Sequence, residues 1–315
     1  MLRPRRAVDS VPVYHPPLAG REGLRLDFNE NILGPSPRVT ARLNRLTADD
    51  LARYPERQAV EAIVAKHLAV PESALLLTNG VDESIHLLCQ TYLEAGDEGI
   101  IVVPTYSMYR IYMIATGAEV VSIPANEDFR FPADLVRNRM TDRTRLIAIA
   151  NPNNPTGTLT SLNDIEQIAL CGPEAAILVD EAYFEFCGTT FLPFARQNPN
   201  VFIARTFSKA YGLAGLRAGV LIGDPEQMRS LRRICSPYNV NAVALACLPE
   251  ALADQSHIER YVRETQESRR RLESALQSRG LQFWPSQANF VLARVGCTKL
   301  DAQSFVERMR RLLLR

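Results

Sequence analysis

The chain has 315 residues, 46% hydrophobic and 23% charged, with 36 basic and 35 acidic side chains. That length allows one large domain or two ordinary ones around a buried core, and the near-average composition excludes a disordered or fibrous chain. A formal charge of +1 gives no electrostatic drive toward nucleic acid or an anionic membrane.

Six cysteines, at 89, 171, 187, 235, 247 and 297, are scattered without a CxxC pair. They read as reduced, buried thiols of a cytoplasmic protein rather than a disulfide framework or a zinc site. The opening MLRPRRAVDSVPVY is basic but lacks an apolar run, so no secretory signal is expected. No stretch reaches about 18 apolar residues, the length that a membrane helix needs.

Residues 1–40 are proline-rich and aperiodic, and are expected to form an extended arm over the rest of the chain. Residues 50–70 place apolar side chains at helical spacing, and Pro71 closes that helix. Short β-rich runs then follow at 75–78, 100–103, 119–123, 146–150, 177–179, 201–204 and 218–222. Amphipathic segments such as 83–94 and 162–170 lie between them. Strands that are apolar on both faces, joined by helical crossovers, predict an α/β fold with a mostly parallel seven-stranded sheet flanked by helices.

Beyond residue 224 the pattern changes. Helices are expected over 225–234, 241–254 and 257–280, then a strand over 287–294 and a closing helix over 302–314, as a smaller α+β domain. The boundaries read as an arm over 1–40, a large domain over 41–235 and a small domain over 236–315.

In an open parallel sheet, ligands bind at the carboxyl ends of the strands, and the unusual residues fall there. The first run ends in Asn79-Gly80-Val81-Asp82-Glu83 at the start of a helix. A glycine turn there bares backbone N–H groups suited to a phosphate, while an ordinary cap by Asp82 is the plainer reading. The run 146–150 leads into NPNNPTG, a rigid turn that fixes Asn154. The run 177–179 leads into Asp180-Glu181-Ala182-Tyr183, and a carboxylate buried at a strand end needs a cation or a helix end to cap.

The run 201–204 leads into Arg205-Thr206-Phe207-Ser208-Lys209. Lys209 is one of three lysines beside 33 arginines. Desolvation lowers a lysine's pKa, and a neutral amine can attack a carbonyl, which an arginine cannot do. An amine, a carboxylate, an asparagine, a tyrosine and a phosphate-ready helix end along one sheet edge are the parts that pyridoxal phosphate requires.

At this point the chain resembles a fold-type I pyridoxal-phosphate enzyme of the class II aminotransferases, nearest the histidinol-phosphate aminotransferase family. DFNENILGPSP, RYPE, TNGVDESI, VVPTYSMY, NPNNPTG, VDEAYFEF, RTFSKAYGLAGLRAG and SQANFVLAR carry the resemblance across residues 26–294. It implies that Lys209 bonds the cofactor aldehyde and then shuttles the substrate proton. Asp180 is implied to pair with the ring nitrogen, and Asn154 and Tyr183 to bond the phenolic oxygen. Tyr106 is implied to stack on the ring. The backbone of Val81 and Asp82, the hydroxyls of Thr206 and Ser208, and Arg217 are implied to hold the phosphate. Tyr54 reaches the neighbouring subunit's site, which implies a homodimer, and Asn29 to Asn31 cover the substrate.

The reaction so implied converts L-histidinol phosphate and 2-oxoglutarate to imidazole acetol phosphate and L-glutamate in histidine biosynthesis. Aromatic aminotransfer, threonine-phosphate decarboxylation and an impaired, binding-only protein use much the same cofactor residues and stay open. The chain departs from the family after residue 294. The arginines of its closing helix do not match the family's substrate-binding arginine, and the small domain looks incomplete, so that role falls to no residue here. A nicotinamide oxidoreductase is disfavoured, because no GxGxxG follows a strand.

Overall fold

A computed structural model describes residues 2–16, 25–295 and 301–313, without the side chains of Arg310 and Leu313. Seven strands form one sheet: β1 (Leu75–Thr78), β2 (Glu98–Val103), β3 (Glu119–Pro124), β4 (Thr144–Ala150), β5 (Ala176–Asp180), β6 (Val201–Thr206) and β7 (Gly219–Ile222). Their order is β1-β7-β6-β5-β4-β2-β3. β2 to β6 pair in parallel, and β7 runs antiparallel to both β1 and β6. The expected mostly parallel α/β sheet is the one observed.

Alternation along the strands divides the core between the two faces of the sheet. Leu75, Leu77, Ile177, Val179, Ile203, Val220 and Ile222 pack on one side. Leu76, Ala176, Leu178, Phe202, Ala204 and Leu221 pack on the other. β5 and β6 are buried at every residue, so each large aliphatic side chain there contributes roughly 1.5–3 kcal/mol of burial. Both faces are covered by helices, and this explains why the strands read as continuous apolar runs.

Four expectations are corrected. The helix expected over 50–70 is two, Ala48–Ala52 and Gln58–Leu68. Pro55 disfavours helical geometry at Tyr54 and breaks the run. The helix after β1 begins at Val81, not 83. The N-terminal segment is not wholly extended, since it contains the helix Arg6–Asp9, and Pro37 opens another helix that runs to Leu43. The strand expected over 287–294 shrinks to β9 (Leu292–Ala293), paired with β8 (Phe283–Trp284). The preceding residues spend their backbone groups elsewhere. Gln287 donates to the Gly157 carbonyl at 2.8 Å, and Ala288 accepts from Arg269 at 2.6 Å.

The thiols also differ in part from expectation. Cys89 and Cys247 are buried, Cys187 and Cys235 half-buried and Cys171 exposed, all of them free; Cys297 lies outside the described residues.

Candidate active site

The parallel strands β4, β5 and β6 deliver their C-terminal residues to one edge, and β7, running the other way, begins at that same edge. Thr206 lies opposite Gly219, and Gly219 lies opposite Thr78 of β1. This register brings Arg217 beside the turn that opens the helix Val81–Tyr92. Gly80 caps that helix with φ +76 and no side-chain bond. That φ lies in the left-handed region that favours glycine, and a Cβ there would also displace the Arg217 guanidinium, whose Nη2 it would meet at 2.6 Å. Asp82 therefore does not cap the helix, and the first-turn amides of Val81 and Asp82 lack intrahelical acceptors.

Lys209 sits in the loop after β6, where the Phe207 and Leu213 amides donate to Ala218 O and Phe207 O, both at 3.0 Å. The loop is pinned from above, because Gly212 (φ +69) passes so close to Gly34 that a Cβ would meet its carbonyl carbon at 2.8 Å. The Lys209 amine donates to the Phe28 carbonyl at 2.8 Å and lies 5.8 Å from the centre of the Tyr183 ring. Burial pushes the amine down from 10.5 to about 8; Arg217 acts in the same direction, and Glu30, Asp82 and Asp180 oppose it.

Asp180 ends β5 at 5% exposure. Its Oδ2 accepts from the Tyr109 hydroxyl at 2.6 Å and its Oδ1 from the Ala182 amide at 3.0 Å. The next helix starts only at Phe184, capped at Tyr183, so Asp180 is not a helix cap. Burial raises its pKa from 3.8 to about 6 against those two donors.

Tyr183 is buried, accepts from Asn29 Nδ2 at 3.1 Å, and is pushed by burial up to about 12. Tyr106 donates to Asp82 Oδ1 at 2.7 Å, and Arg217 donates to Asp82 Oδ2 at 2.9 Å. Ser208 closes a small turn by donating its amide to Thr206 Oγ1 at 3.1 Å.

Lys209, Asp180, Tyr183, Asp82, Tyr106, Thr206, Ser208 and Arg217 thus gather at one edge. Asn154 is half-buried in the loop after β4, and its side chain makes no hydrogen bond among the described residues. That loop is anchored by Asn153, which accepts from Thr105 at 2.7 Å and donates to the Pro104 carbonyl at 3.0 Å. Tyr54 stands apart: it is 78% exposed and stacks on Tyr238 with ring centres 4.2 Å apart.

Three features escaped the sequence reading. The Phe28 carbonyl leaves no side-chain signal at all. Tyr109 was legible in principle, three residues beyond Tyr106 and so on the same helical face. The third is a buried pair beneath the site, Arg205 and Glu181 at 2.8 Å with side chains 8% and 0% exposed. Thr190 and the Phe191 amide also donate to Glu181, and the guanidinium lies 3.6 Å from the centre of the Phe184 ring. Arg205→Met is expected to cost about 3–5 kcal/mol by leaving Glu181 unpaired, far above the ~1 kcal/mol of an exposed pair. A denaturant titration that showed no loss would contradict this.

Arg205 and Phe207 point to the face of the sheet away from Thr206 and Ser208. There they line a cavity of about 200 Å³ with His67, Glu185, Tyr211 and Gln255. Glu185 is held up to about 7 by burial, and its Oε2 has no hydrogen-bond partner among the described residues.

The chain and its fold have known counterparts. The family model for aminotransferase class I and II matches residues 21–313. A histidinol-phosphate aminotransferase of Moorella thermoacetica is 34% identical over 314 residues, covering 92% of this chain and 79% of that protein. That of Paracoccus denitrificans is 39% identical over 282 residues, covering 88% and 76%. The solved histidinol-phosphate aminotransferase of Sinorhizobium meliloti in complex with pyridoxal-5'-phosphate superposes with a TM-score of 0.85 at 26% identity, over 92% of this chain and 82% of that one. With the family model matching nearly the full length of the sequence and a relative 34% identical over 92% of it, the chain belongs to the class I and II aminotransferase family.

Proposed function

We propose that this chain is a pyridoxal-phosphate aminotransferase that moves the amino group of L-histidinol phosphate to 2-oxoglutarate. The observation that carries the reading is a half-buried lysine whose amine is depressed to about 8, sharing one sheet edge with a buried carboxylate. The names of the similar proteins support the choice of substrate and cofactor.

The residues present fit the cofactor in charge and kind. Lys209 supplies the amine for its aldehyde, and Asp180 an anion for its ring nitrogen. Asn154 and Tyr183 supply donors for its phenolic oxygen, and Tyr106 an aromatic face for its ring. Its phosphate would take the Val81 and Asp82 amides, the Thr206 and Ser208 hydroxyls and Arg217. Phosphate carries nearly two negative charges at neutral pH and competes with the Asp82 carboxylate for that guanidinium. When bound, the cofactor supplies an electron sink next to the substrate's Cα.

The protein's own part is positioning and proton transfer. Lys209, half neutral near pH 8, would hold and move the proton at the substrate's Cα. Asp180 would supply the buried anion that favours a proton on the cofactor's ring nitrogen. The segment around Asn29 closes over Lys209 and Tyr183, and Asn289 donates to the Asn29 carbonyl at 3.0 Å. That cover excludes water from the proton path.

The division into an arm (1–40), a cofactor-binding domain (41–235) and a small domain (236–315) belongs to the same proposal. So does a homodimer in which Tyr54 reaches the other subunit's site, supported by the exposed Tyr54–Tyr238 stack. The free thiols support a reducing, cytoplasmic setting.

A panel of amino donors tests the reading. Cofactor-loaded protein is mixed in single turnovers with L-histidinol phosphate, L-phenylalanine, O-phospho-L-threonine or L-glutamate, and keto products are read by mass spectrometry. L-histidinol phosphate is expected to react fastest, with 2-oxoglutarate restoring the starting form. Faster turnover of phenylalanine, release of carbon dioxide from phosphothreonine, or no product from any donor would each overturn it.

A further inference from the structure

We propose that Tyr109 is a positioning residue of this site, whose hydroxyl holds the Asp180 carboxylate ionised and turned toward the cofactor's ring nitrogen. The proposal rests on the functional reading above and extends it to a residue outside the cofactor's own contacts.

Tyr109 comes from the helix Ser107–Thr116 rather than from the sheet edge. It has no exposed surface, and a phenol so buried needs an acceptor. Asp180 Oδ2 provides one at 2.6 Å, a length typical of a hydroxyl bonded to an ionised carboxylate. Burial, and then the Asp180 charge, push the phenol well above its ordinary value of 10. It therefore stays protonated at working pH and acts only as a donor.

Backbone pairing fixes the Asp180 Cα, between Ala150 of β4 and Ala204 of β6. It leaves the carboxylate plane free, because the terminal torsion of an aspartate is broad and two-fold. Two donors from different elements remove that freedom: Tyr109 on Oδ2 and the Ala182 amide on Oδ1. Each oxygen keeps one lone pair. Tyr109 and the amide also oppose burial, which favours the neutral acid. Around the carboxylate stand Asp82 and Glu181, which raise its pKa, Tyr106 and Tyr183 on neighbouring elements, and Lys209.

Tyr109→Phe removes the hydroxyl and retains the ring that packs edge-on against Tyr106 at 5.7 Å. The first readout needs no cofactor. In apoprotein carrying isotope-labelled aspartate, the infrared carbonyl band of protonated Asp180, identified by its absence in Asp180→Asn, is followed against pH. The wild-type midpoint is expected near 6, and that of Tyr109→Phe about one to two pH units higher, the worth of a hydrogen bond to a charged group. Equal midpoints would overturn the proposal, whatever the holoenzyme does.

The second readout is a cycle in the cofactor-loaded enzyme. Tyr109→Phe should lower kcat about 10-fold or more, with KM nearly unchanged, and should add little further loss in an Asp180→Asn background. A purely structural tyrosine would give equal losses in both backgrounds and would also overturn the proposal. If instead wild-type protein binds no pyridoxal phosphate, the functional reading fails, and the apoprotein titration still decides whether Tyr109 controls Asp180.

Discussion

Lys209→Ala is expected to lose covalent attachment of pyridoxal phosphate and to reduce turnover by at least about 10²–10⁴-fold, the range for removing a positioned acid–base group. Borohydride fixation followed by mass spectrometry should label residue 209 in the wild type and no residue in the variant. Labelling that survives at another lysine would transfer the role. Lys209→Arg should fare no better, since a guanidinium stays protonated and cannot attack an aldehyde.

The pH dependence of attachment follows from burial. The amine titrates in the fold at about 8 instead of 10.5, so the reactive neutral form increases as pH rises through 8. The rate at which apoprotein captures the cofactor should climb between about pH 7 and 9 and then level off. A climb centred near 10.5 would mean that the amine is not desolvated. Capture would also cost the Phe28 carbonyl contact, because the nitrogen that donates to Phe28 would have to turn to the aldehyde.

Asp180→Asn carries the other large effect. An amide of the same shape keeps the packing and removes the negative charge that the proposed function assigns to the ring nitrogen. Covalent attachment at Lys209 should persist, whereas removal of the substrate's Cα proton should slow by about 10²–10³-fold or more, comparable to losing one preorganised electrostatic contact. Single-turnover exchange of the Cα proton for deuterium measures that step directly, and near-normal exchange would remove Asp180 from it. The asymmetry separates the two residues: position 209 fails at attachment, position 180 at chemistry.

Much of this layout was readable from the chain because each signal is local. A strand buried on both faces must be apolar throughout, so β1, β4, β5 and β6 stand out as runs of three to five aliphatic residues, and a lysine or aspartate just past such a run is costly unless it is used. The misreadings have local causes as well. Pro55 was passed over inside an otherwise helical pattern. The segment 287–294 has strand-like residues, yet its backbone bonds go to Gly157 and Arg269, which are distant in sequence. Tyr109 was not singled out at all; its ring is core, and its buried hydroxyl also had to find an acceptor.

The succession of strands and turns along the chain, the α/β class and the positions of a lysine and an aspartate just past apolar runs were determined by the sequence alone, since periodicity and turn chemistry act over a few residues. Which groups meet was decided by the tertiary structure. Tyr109 reaches Asp180 across 71 positions, Arg217 reaches Asp82 across 135, and Lys209 reaches the Phe28 carbonyl across 181. Contacts at such separations depend on how the sheet orders its strands and closes its loops, and no short window of residues encodes that.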